Sequence, residues 1–176
     1  INTIFAIIKL LSITDLYKIW CEKSGAEFKE NYTLTDILSS IPEYTTTGVS
    51  EPRAVLRIET KDHAVLKGRF QKIFESQWKE QKVFLENEGI TNYEAVITNG
   101  TKETRGVTDF SLSKKGGLKV IFKNNRMENL AFIWMRGSGT EPVFRIMCDV
   151  KGRKPELEKA LLSWETEMLL AADKEN

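Results

Sequence analysis

Two apolar runs separated by a short polar loop constrain this chain more than any other feature. Leu130-Ala-Phe-Ile-Trp-Met135 and Val143-Phe-Arg-Ile-Met-Cys-Asp-Val150 are both rich in β-forming residues. Between them lies Arg136-Gly-Ser-Gly-Thr-Glu-Pro142. The pattern reads as strand, tight loop, strand, with the two strands antiparallel neighbours. Gly137 and Gly139 permit positive φ and let backbone N–H groups approach a bound atom closely. Ser138 and Thr140 add hydroxyl donors, and Arg136 and Arg145 add forked cationic donors. Consecutive amides in such a turn form a concave nest for an anion. Together these groups suit a phosphate. The plainer alternative is a hairpin loop that is glycine-rich only because it turns. Glu141 favours that alternative unless it points away from the anion.

At these residues the chain resembles the α-D-phosphohexomutases, the phosphoglucomutase and phosphomannomutase family. Arg136-Gly-Ser-Gly-Thr-Glu-Pro142, followed by Arg145, is similar to the family's C-terminal phosphate-binding loop. That loop clamps the phosphate at the non-reacting end of the sugar. The resemblance implies contacts from Arg136, Gly137, Ser138, Gly139 (through its backbone), Thr140 and Arg145. It also implies an α+β C-terminal domain resembling that of the TATA-binding protein, with a mostly antiparallel sheet and helices on one face. The expected partners are a hexose phosphate, a hexose bisphosphate and the remaining domains of a longer enzyme. Magnesium and a phosphoserine belong to that family's chemistry. Neither a Thr-x-Ser-His-Asn-Pro loop, an Asp-x-Asp-x-Asp loop nor a Gly-Glu-x-Ser loop is present in the chain. No catalytic residue and no metal ligand is therefore expected here, and the chain alone is expected to be inactive. A non-catalytic anion-binding module built on the same domain is the competing reading.

Composition narrows the classes further. Lys and Arg number 26 against 25 Asp and Glu, a net charge of +1, so bulk electrostatics does not call for nucleic acid. The strands also lack an evident aromatic–basic face, the feature single-strand binders use. Cys21 and Cys148 stand alone without metal spacing, which suggests reduced thiols in a cytoplasmic protein. The chain starts at Ile1, and its apolar opening to Leu11 is too short for a membrane span and lacks a cleavage site. It reads as a buried helix of a longer protein.

In chain order, Ser12-Ile-Thr-Asp15 looks like a capping box for a second helix, with Leu16, Ile19 and Trp20 on one face. Thr33-Leu-Thr-Asp36 repeats the signature. Glu43 to Gly48 reads as a boundary, separating a helical end of a preceding domain (1–43) from a C-terminal phosphate-binding domain (44–176). Arg53 to Ile58 is a strand candidate. Thr60 or Asp62 caps a long helix whose stripe is Leu66, Phe70, Ile73, Phe74 and Trp78, running on towards Gly89. His63, the only histidine, reads as a surface residue. Tyr93 to Ile97 and Leu118 to Phe122 are strands, and 102–115 is a strand pair or loop. Gly116 stands where the resembled family usually has Asp. Pro155 opens a final helix with Leu157, Leu161, Trp164 and Met168 facing inward.

Overall fold

The structure is a computed structural model that describes residues 2–48, 50–138 and 143–174. It divides into two compact units, Ile1–Glu43 and Tyr44–Asn176.

The first unit is three helices, α1 (Asn2–Leu11), α2 (Thr14–Ser24) and α3 (Leu34–Ser40). Leu11, Tyr17, Cys21 and Ile37 form its small core, with Trp20, Phe28 and Tyr32 packed against it. The phase of α2 differs from the expected one: Tyr17 and Cys21 face inward, while Leu16 and Ile19 stay 40% and 47% exposed. The expected Ser12 cap does not form either. Ile13 is the N-cap, and the Ser12 hydroxyl donates back to the Ile8 carbonyl at the end of α1. The Thr33 box does form: Asp36 N–H donates to Thr33 Oγ1 and Thr33 N–H to the Asp36 carboxylate. On α1, Ile4, Phe5 and Leu10 are exposed.

The second unit is α+β. Its strands are β1 (Tyr44–Thr46), β2 (Val55–Arg57), β3 (Asn92–Asn99), β4 (Lys102–Arg105), β5 (Gly117–Lys123), β6 (Asn129–Gly137) and β7 (Val143–Lys151). They form one seven-stranded antiparallel sheet in the order β1-β7-β6-β5-β3-β4, with β2 also on the outer edge of β7. The helices α4 (His63–Glu80), α5 (Lys82–Asn87) and α6 (Pro155–Lys174) lie on one side. The expected long helix is thus broken at Gln81, which caps α4 and starts α5.

Strand alternation explains why one face is buried. Leu118, Val120 and Phe122 on β5, Ile133 and Met135 on β6, and Phe144, Ile146 and Cys148 on β7 point to the helices. Leu66, Phe70 and Phe74 of α4 and Leu161, Trp164 and Met168 of α6 fill the other half of that core. Phe74 meets Trp164 and Tyr93 at ring-centroid distances of 5.5 Å and 4.8 Å. No helix among the described residues is long and apolar enough to cross a membrane.

Candidate phosphate site at the β6–β7 turn

Register places the site. Arg136 and Arg145 are direct cross-strand partners, and both side chains are exposed on the face away from the helices. Ser138 continues β6 by one step, its N–H donating to the Val143 carbonyl at 2.8 Å. Alternation puts Ser138 on the same face as Arg136. Like charges placed directly opposite on a sheet repel each other. Two arginines so placed at the mouth of a turn present two forked sets of donors on one face. Gly139 and Thr140, two further candidate contacts, lie outside the described residues.

The neighbours of Arg136 build a wall on one side. Gly117 follows Arg136 in register on β5, since Leu118 pairs with Met135. A Cβ on Gly117 would come within 2.2 Å of Thr98 Oγ1 and 2.6 Å of Trp134 Nε1. The Trp134 indole crosses that space and donates to Thr98 Oγ1 at 3.1 Å. Gly117 is therefore small so that the indole can cross over it to Thr98.

Gly137 points the other way. It is buried on the helix side, where an added Cβ would fall 1.9 Å from His63 Cε1. Its missing side chain makes room for the imidazole, which also meets Phe144 edge-on at 5.3 Å. His63, read from sequence as a surface residue, is half-buried as the first residue of α4, its ring packed against the root of the turn. Its Nδ1 is buried without a hydrogen-bond partner. Burial, then the charges of Lys67 and Lys115, hold its pKa below the usual histidine value, against a smaller opposing effect of Asp62. The N-terminal amides of α4 are already engaged: Asp62 accepts from Ala64 and Val65.

One turn further along α4, Lys67 is fully buried and donates to the carbonyls of Lys114 and Gly116 at 2.9 Å and 2.5 Å. Burial, then the charge of Arg136, brings its pKa down to about 8. Lys67 fixes the turn that leads into Gly117, and so the strand beside Arg136. The run of 102–115 resolves into β4 and a 3-10 turn at Phe110–Ser113.

Elsewhere on the open face, three cations have carboxylate partners, while Lys151 is exposed. Arg105 pairs with Glu94 and Glu103, Lys119 with Glu103, and Lys123 with Glu94. Tyr44, Phe132 and Trp134 share this face with them, so an aromatic–basic face exists that the linear reading did not recognise. Two of its three aromatics are engaged, while Tyr44 is exposed. The Lys119 ammonium lies 5.0 Å over the Phe132 ring, and Trp134 is tied to Thr98. Among the described residues no cluster of three His, Cys, Asp or Glu side chains is placed to hold a metal.

No protein-family model matches the chain, and no curated protein matches it significantly. The likeness to phosphohexomutases therefore rests on the loop string and on what surrounds it.

Proposed function

We propose that residues 44–176 are the phosphate-holding domain of a phosphohexomutase. Such an enzyme interconverts hexose 1-phosphate and hexose 6-phosphate through a bisphosphate. Arg136, Ser138, Thr140 and Arg145 grip the phosphate at the end of the sugar that does not react. The observation that carries this reading is the direct pairing of Arg136 with Arg145, on the sheet face away from α4 and α6, within the family's loop string. Holding that phosphate supplies binding energy and orients the hydroxyl at the other end of the sugar. The phosphoserine, the magnesium and the sugar-reading loop would come from other segments of a longer, cytoplasmic enzyme. Nucleic acid is a poorer fit, because the net charge is only +1. On the open face Phe132 lies under Lys119, and Glu94 and Glu103 pair with Arg105, Lys119 and Lys123.

The test is an amide NMR titration of this chain with glucose 6-phosphate. Charge-assisted contacts at an open site give about 0–1 kcal/mol each, so an affinity on the order of 1 mM is expected. Arg136→Ala should remove most of the response, and Arg136→Lys should restore part of it, because an ammonium cannot grip two oxygens in one plane. Shifts that fall outside the β6–β7 turn and its neighbours, or that survive Arg136→Ala, would show the reading to be wrong.

A further inference from the structure

We infer that Arg57 on β2 is a third arginine of this anion site, an inference that rests on the reading just given. In sequence Arg57 is far from the loop. The sheet brings it there, since β2 pairs with the free edge of β7 in the register Val55↔Arg145 and Arg57↔Val143. Arg57 and Arg145 are therefore diagonal neighbours on one face. Such positions lie roughly 7–8 Å apart, within reach of long side chains. Arg136 flanks Arg145 from the other side. Val143 is left in the middle, with Arg57 beside it, Ser138 across from it, and the Arg136–Arg145 pair one step along the strands.

Charge distinguishes this patch from the β3–β5 part of the face. Arg105, Lys119 and Lys123 each have a carboxylate partner. Neither Arg57 nor Arg136 has an ion-pair partner among the described residues, and both are exposed.

The short β2 strand is also held from both ends. Just before it, Arg53 Nη1 bonds the buried Glu158 of α6 at 2.8 Å, and Glu158 also accepts from the Thr47 hydroxyl. Just after it, the Asp173 carboxylate accepts the N–H groups of Glu59 and Thr60 at 2.9 Å and 2.8 Å. A three-residue strand with little core of its own is thus clamped to α6 twice. Fixing the backbone of Arg57 lowers the ordering cost of any contact its guanidinium makes. The ligand class is a phosphate monoester, whose oxygens can accept from three guanidinium groups at once.

The experiment titrates the 176-residue chain with inorganic phosphate and with glucose 6-phosphate, following backbone amides and the Arg57 Nε–Hε resonance. The comparison set is Arg57→Gln, Arg57→Lys, Arg136→Ala and, as a charge control, Arg105→Gln. We expect the Arg57 Nε–Hε signal to move with ligand. Arg57→Gln should weaken binding roughly threefold to tenfold, the loss of one charge-assisted contact, while Arg57→Lys recovers part and Arg105→Gln changes little. If Arg136→Ala abolishes binding but Arg57→Gln leaves it intact, Arg57 is outside the site and only this inference falls. Equal weakening by Arg57→Gln and Arg105→Gln would reduce its effect to net charge and overturn it too. Absence of binding in the unmodified chain would remove the proposed function, and this inference with it. An unchanged amide spectrum in the apo variants separates lost contact from lost fold.

Discussion

Replacing Glu165 should stabilise the protein, and by an amount that grows with pH. Glu165 lies on the buried face of α6 with 0% of its surface exposed. Neither carboxyl oxygen has a hydrogen-bond partner. Burial pushes its pKa well above the ordinary 4.5, so the fold holds it as the neutral acid. The unfolded chain ionises near the ordinary value and releases a proton that the folded chain keeps. Stability contributed by this group is complete below pH 4.5 and is lost as pH rises towards the folded pKa. The slope is about 1.4 kcal/mol for each pH unit over which the two states differ by one proton.

Glu165→Met removes the ionisation while keeping an unbranched chain of similar length. Below the ordinary carboxylate range its advantage is the cost of burying an unpaired carboxyl, roughly 1–3 kcal/mol. Above the ordinary carboxylate pKa the gap should widen steadily with pH until the folded pKa is reached. Glu165→Gln should show the same pH dependence with a smaller offset, since its amide is also left without partners. Urea unfolding at a series of pH values measures this. The amides of Leu118 and Val120 on β5 are the reporters, so that the 1–43 unit does not blur the transition. The pH at which the gap stops widening gives the folded pKa of Glu165 directly. A gap that stays flat with pH, or a methionine variant less stable than the parent, would refute the argument.

Two further outcomes concern the two units separately. Gly137→Ala should cost about 1–3 kcal/mol through overpacking against His63. His63→Ala in the same chain should give back most of that loss, and a thermal-unfolding double-mutant cycle without such coupling would contradict the packing. In the first unit, Thr33→Ala should cost about 0.5–2 kcal/mol by removing the cap of α3. Amide exchange in α3 reads it, and unchanged protection there would count against the capping box.

The hairpin, the long aromatic stripe of α4 and the inward face of α6 were readable because each follows one strict period over many residues. Leu118, Val120 and Phe122 could be placed on one face from spacing alone, as could Leu157, Leu161, Trp164 and Met168. Shorter or non-local features left weaker traces. β2 is three residues long and exists because it pairs with a strand some ninety residues later. Nothing local to Arg57 announces that partnership. The phase of α2 was misread because Leu16 and Ile19 look like a core pair, while aromatic packing of Tyr17 with Phe28 and Tyr32 decides which side faces in. His63 carried a signal only jointly with Gly137: a glycine ending a strand needs a reason, and the reason is a ring from another element. The arginines of the turn were visible as types, but their direct opposition needed the register.

That register also explains how the site is kept in shape. On β6 the odd-numbered residues from Ala131 to Gly137 are buried under the helices, and on β7 the even-numbered ones from Phe144 to Val150 are. Arg136 and Arg145 fall on the opposite face because of that same alternation. Slipping either strand by one residue would turn its whole apolar set outward and drive its arginine into the core. The slip would expose side chains worth about 1.5–3 kcal/mol each and bury a guanidinium at a cost of several kcal/mol. The two guanidinium groups are therefore held opposite each other by the burial of Ile133, Met135, Phe144 and Ile146 beneath them. A core substitution that keeps volume, such as Ile133→Leu or Ile146→Leu, should leave phosphate binding almost untouched. One that loosens the β6–β7 ladder should weaken it without touching a ligand contact.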